Sequence, residues 1–154
     1  MRIGVRLGVD VGTARVGIAR CDDHGILATP VETLARKAGM MAGIRRLVAE
    51  YEPLEIVVGL PLALSGSETA STQDARDVAA TIARAVSMPV RLVDERLTTV
   101  TAARSLRESG RTSRTSRSVI DQAAAVTLLQ YALDHEKSRG VAPGELVVPD
   151  GGHA

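Results

Sequence analysis

The sequence predicts an α/β fold built on a mixed five-stranded sheet, three antiparallel strands followed by two parallel ones, flanked by helices. Three observations carry that expectation. The first third holds three short β-like runs joined by tight glycine- and aspartate-containing turns. Later, continuous apolar runs alternate with segments whose apolar residues recur at helical spacing. A chain of 154 residues, 45% hydrophobic, has room for one well-buried core.

The elements follow in order. Residues 5–10 (VRLGVD) and 15–21 (RVGIARC) read as strands turned at Gly12-Thr13, and a third at about 26–33 follows the turn Asp22-Asp23-His24-Gly25. Short connections make these an antiparallel meander. Met40, Ile44, Leu47 and Val48 are spaced for one face of a helix over 39–51. Residues 55–60 (EIVVGL) are apolar throughout, as in a parallel strand buried on both faces, and Pro61 ends them. A polar loop leads to a helix at about 69–86, then a strand at 89–94, a helix at about 98–109 and a last one at about 118–135. The order βββαβαβαα matches the ribonuclease H-like fold. The domain is expected to span 1–137, with 138–154, rich in Gly and Pro and without periodicity, as a flexible C-terminal tail.

Composition narrows the function. Tyr51 and Tyr131 are the only aromatic residues, which argues against recognition of single strands by aromatic stacking. The net charge is +1, yet Lys37 and Lys137 are the only lysines among 19 basic residues. Arginine suits bidentate phosphate contacts, although a GC-rich genome produces the same bias. A single cysteine, Cys21, excludes an internal disulfide and a cysteine-based zinc cluster. Neither a signal peptide nor a membrane-length apolar run is present, so a cytoplasmic location is expected.

Four places could carry chemistry. Asp10 closes an apolar strand, where a carboxylate costs several kcal/mol unless paired, hydrogen-bonded or bound to a metal. Gly8 and Gly12 clear side chains from around it, and Gly12-Thr13 would let backbone N–H groups approach a phosphate. Its bland alternative is a turn aspartate accepting backbone hydrogen bonds. Asp94 and Glu95 end a second strand, where ligands bind in α/β sheets. Alternation sends them to different faces, so only one would meet Asp10; a surface ion pair with Arg96 explains them equally well. Asp121 lies on the helical face of Ala124, Ala125 and Leu128, the face expected to be buried. Ser118-x-x-Asp121 also has capping-box spacing. Residues 103–117 hold Arg104, Arg107, Arg111, Arg114 and Arg117 against one acid, either a solvated loop or a grip on a phosphate backbone. Three convergent carboxylates would need a cation, and Mg²⁺ prefers a few carboxylates plus water and phosphate. Two such ions about 4 Å apart can serve the attacking and the leaving oxygen together.

The motifs together resemble the YqgF/RuvX family of pre-16S rRNA nucleases and Holliday junction resolvase-like proteins. Its pattern is met by Gly8, Asp10, Gly12, Arg15, Gly17 and Ala19; by Gly59, Pro61 and Gly66; by Asp94, Glu95 and Arg96; and by Asp121, Ala124 and Ala125. The match covers about residues 5–133. The resemblance implies a ribonuclease H-like fold and a divalent-metal endonuclease, with Asp10, Glu95 and Asp121 as the catalytic, metal-binding triad and Mg²⁺ or Mn²⁺, as two ions, for cofactor. It implies a nucleic-acid substrate and a role in maturing the 5′ end of 16S rRNA. Pre-rRNA is preferred to junction DNA because resolvases act as symmetric dimers and no dimer surface is predicted, and ribosomal particles or another ribonuclease are the candidate partners. Gly12, Thr13, Arg15, Arg96, Arg104, Arg111, Arg114 and Arg117 are the substrate-binding candidates. Three other readings compete: a Holliday junction resolvase-like enzyme, a non-catalytic RNA- or ribosome-associated factor, and an actin-like phosphotransferase. The last needs a second phosphate-loop domain, and no second copy of the motif is present.

Overall fold

The computed structural model describes residues 1–96 and 114–148, with side chains from 119 onward in the second stretch. The helix expected at 98–109, with Arg104, Arg107 and Arg111, lies outside the described residues; of Arg114 and Arg117 only the backbone is described.

Three strands, β1 (Arg6–Val11), β2 (Arg15–Cys21) and β3 (Ala28–Ala35), form the expected meander. Helix α1 (Met40–Tyr51) leads to β4 (Glu55–Leu60), and α2 (Ala70–Ala85) to β5 (Val90–Asp94). A long helix, α3 (Arg114–Arg139), precedes a two-residue strand, β6 (Glu145–Leu146). The sheet order is β3-β2-β1-β4-β5-β6. Strands β1, β4 and β5 are parallel, and the other pairings are antiparallel.

The sheet thus has six strands rather than the expected five. The sixth is too short to show periodicity, and tertiary packing forms it. Gly144 takes a left-handed φ of +67° where a side chain would run into the Leu92 carbonyl, so only glycine brings Glu145 against β5. The expected domain end at 137 falls inside α3, which runs to Arg139.

Two cores flank the sheet. On one face Leu7, Val9, Ile18, Ile56, Val58 and Leu92 pack with Ile44 and Leu47 of α1 and Val78 and Ile82 of α2. On the other, Ala19, Cys21, Val57 and Val93 pack with Ala124, Ala125, Leu128 and Leu129 of α3. EIVVGL is therefore buried on both sides because helices cover both. Thr69 and Thr72 form a reciprocal capping box at the start of α2, and the Thr72 hydroxyl also donates to the Pro61 carbonyl. That bond ties the helix to the loop leaving β4.

An ionic network closes the end of the sheet where β1 and β4 begin. The buried Arg6 guanidinium donates to Glu136 at 3.0 Å, and Arg2 and Arg91 both reach Glu55. Burial pushes the Glu136 carboxyl up, but hydrogen bonds from Arg2 outweigh that and hold it below its ordinary range. Its contribution to stability is therefore complete above the unfolded value of about 4.3 and is lost as pH falls through the lower folded value. Glu136→Gln leaves the Arg6 guanidinium buried against a neutral amide. It should cost about 3 kcal/mol in a urea melt at pH 7, and the deficit should shrink below about pH 4. An equal deficit at both pH values would mean that the charge is not what matters.

Candidate active site

Asp10 lies near the carboxyl end of β1 and is fully buried. Its face follows from its neighbours. Gly8, two residues earlier, lies under Leu129 and the Ala125 carbonyl of α3, so Asp10 also faces α3. Across the ladder Asp10 is paired with Gly17. A Cβ at Gly17 would fall on the Asp121 carbonyl, 2.5 Å from its carbon. The absent side chain thus lets α3 settle on β2 beside Asp10.

Asp121 is buried, as the helical spacing requires. It is not a capping residue: α3 begins at Arg114, so Ser118 and Asp121 both lie inside the helix. Its carboxylate accepts a 2.8 Å hydrogen bond from Nε of Arg15, which opens β2 and is partly exposed.

Glu95 arrives differently. Strand β4 separates β1 from β5 and bears no acid at its end. The Glu95 carboxylate lies across it, where a Cβ at Gly59 would be 2.5 Å from Oε2 and 3.1 Å from Leu128 Cδ2. Extending the parallel register by one residue from Val9 with Val58 sets Gly59 beside Asp10. Glu95 therefore points to the side of Asp10, and Asp94 does not. Asp94 is half-buried and grips Arg96 through both carboxylate oxygens, at 2.7–3.1 Å, as a local ion pair. The Arg96 hydrogen bonds hold the Asp94 carboxyl below its ordinary range. Gly59→Ala should push Glu95 aside and lower any activity that depends on it by about 100-fold, with the melting temperature little changed. Full activity in a folded G59A protein would remove Glu95 from the site.

The turn between β1 and β2 is at the same end. Thr13 is exposed, but Gly12 is buried and its N–H donates to the Arg15 carbonyl at 2.8 Å. That donor closes the turn and is not offered to a phosphate, contrary to the sequence expectation. Gly8 also serves differently than expected: like Gly17 and Gly59, it admits part of the protein itself. Sequence reasoning missed Arg36. It forks onto Asp74 at 2.7 and 2.9 Å and donates to the carbonyls of Gly12 and Thr13, pinning the turn to α2. Nothing around Ala35-Arg36-Lys37 signals this, because its partners come from distant elements.

Asp10, Glu95 and Asp121 thus share one face at one end of the sheet. Their hard carboxylate oxygens, with glycine at 17 and 59 in place of bulkier residues on that face, fit a hard divalent cation. Among the described residues no three His, Cys, Asp or Glu side chains are gathered closely enough to hold an ion as they stand. Asp121 is engaged by Arg15 instead. No helix among the described residues is long and apolar enough to cross a membrane.

The family model described as RuvX, Holliday junction resolvase, matches residues 4–135. A protein of Clavibacter michiganensis is 57% identical over 150 residues, covering 96% of this chain and 93% of its own. One of Streptomyces coelicolor is 55% identical over 148 residues, covering 94% and 89%. Both carry the provisional name pre-16S rRNA nuclease. Among solved structures, Thermus thermophilus RuvC in complex with a Holliday junction substrate superposes with a TM-score of 0.50 at 18% identity, over 91% of this chain and 98% of that one. That likeness shows the ribonuclease H-like fold.

Proposed function

The chain belongs to the RuvX family of nucleases, and from that premise we propose that it is a divalent-metal-dependent endonuclease that trims the 5′ end of precursor 16S rRNA in the cytoplasm. The observation that carries the reading is the placement of Asp10, Glu95 and Asp121 on one face at the carboxyl ends of β1 and β5. The provisional name of the relatives supports RNA as the substrate over junction DNA.

Asp10 and Glu95 would hold the ion or ions, Mg²⁺ or Mn²⁺, with Asp121 joining them. When bound, such an ion polarises a phosphoryl oxygen and lowers the pKa of an attacking water. The chain's own residues bind and orient the substrate. Arg96, held by Asp94 and the Leu64 carbonyl, would offer a preorganised guanidinium to a phosphate. Thr13 stands exposed on the neighbouring turn. Arg104, Arg111, Arg114 and Arg117 supply charge for a phosphate backbone that the acids would otherwise repel. Ribosomal particles or a second ribonuclease complete the setting.

The test is cleavage of a 16S precursor 5′ fragment with Mg²⁺ or Mn²⁺, beside a four-way junction and a chelator control. Metal-dependent cutting of the RNA supports the reading, and cutting of the junction alone would transfer it to DNA. Failure to cut either substrate would favour a non-catalytic ribosome-associated factor. Replacing Arg111, Arg114 and Arg117 with alanine should flatten the salt dependence of RNA binding by about 0.7 in log–log slope for each phosphate no longer neutralised. An unaltered slope would make the segment a plain connection.

A further inference from the structure

Arg15 lies between the acidic centre and solvent. Its Nε donates to the buried Asp121 at 2.8 Å, while the side chain is 28% exposed. It opens β2 two residues before Gly17, the glycine on which the Asp121 carbonyl rests. Because side chains alternate, Arg15 and Gly17 share the face of Asp10. Its guanidinium thus pairs with Asp121 on the face that Asp10 and Glu95 share, and offsets the charge of that one acid.

We propose that Arg15 is a latch on Asp121 that a divalent cation must displace, leaving its guanidinium turned to the substrate. This rests on the metal-dependent reading above. Arg15 is then a positioning residue: it acts on the ion through Asp121.

Two physical points support the exchange. A divalent ion at Asp10 and Glu95 draws Asp121 more strongly than a single positive charge does, and repels the guanidinium at short range. Once displaced, Arg15 remains tethered to β2 at the rim, where its planar fork matches a phosphodiester. Cation and nucleic acid would then favour one another, since coupling of two ligands through one element is reciprocal.

The direct test is made on the native chain. In the ¹⁵N-labelled full chain, the Arg15 Nε–H resonance, assigned by its absence from Arg15→Lys, is followed during titration with MgCl₂. The latch requires that it shift with the midpoint of Mg²⁺ binding measured by calorimetry. In parallel, Arg15→Gln should bind Mg²⁺ about tenfold tighter than the native chain, the scale of one charge-assisted hydrogen bond. Saturable Mg²⁺ binding with an unmoved Arg15 resonance would overturn the proposal, as would equal or weaker binding by Arg15→Gln. Absence of Mg²⁺ binding in both proteins would instead overturn the metal-dependent function, and the latch with it.

Discussion

Replacing Asp10 with asparagine is expected to slow RNA cleavage by about 10³-fold or more, the scale of several kcal/mol of charge stabilisation removed. The melting temperature should stay within a few degrees of the native value. Both halves follow from position. Asp10 is fully buried on the α3 face, paired with Gly17 and flanked by Gly59. Asparagine has the same shape and can still accept and donate hydrogen bonds, so the packing of Leu129 and α3 around β1 has no reason to change. What disappears is one negative charge in a place where negative charge is otherwise costly. A protein that kept such a residue only for folding would tolerate or gain from the exchange. Single-turnover cleavage and a thermal melt, made on the same preparation, check the two halves together. A folded Asp10→Asn protein with native turnover would show that Asp10 is a structural acid.

Most of the fold is legible in the sequence because it is dictated locally. The turns at Gly12-Thr13 and Asp22–Gly25 set the meander, and EIVVGL reads as a doubly buried strand with the bounds observed. What is illegible depends on distant partners. Residues 114–117 are arginine, threonine and serine, without apolar periodicity, so their pattern puts the start of α3 four residues late. That shift makes Asp121 look like a capping residue. The three acids are legible as residue types, two at strand ends and one on a helix. That they share one face is not, because the acid-free end of β4 stands in the way. Only the structure shows that Gly59 lets Glu95 lie across that strand. The Arg15–Asp121 bond joins residues 106 apart in sequence and has no local signature.

Gly17→Ala is expected to damage both stability and activity, and the reason separates it from an ordinary strand glycine. Glycine within a strand usually costs stability, so alanine there would help if space allowed. Here the new Cβ would fall on the Asp121 carbonyl and lie 3.1 Å from the Gln122 nitrogen. Backbone cannot swing away as a side-chain tip can, so α3 must lift from β2 as a unit. Overpacking of this kind costs about 1–3 kcal/mol, which lowers the melting temperature of a chain this size by roughly 3–10 °C. The larger effect is on catalysis. Gly17 is the cross-strand partner of Asp10, so lifting α3 there changes the spacing between Asp10 and Asp121. A misplacement of about 1 Å between reacting groups can cost 10²-fold in rate. The loss of rate should therefore persist at low temperature, where the variant is fully folded. A melt together with cleavage at about 10 °C, below the range in which mesophilic domains unfold, separates the two contributions. Recovery of the native rate in the cold would reduce Gly17 to a packing residue, and an unshifted melt would mean that α3 does not rest on β2 at this point.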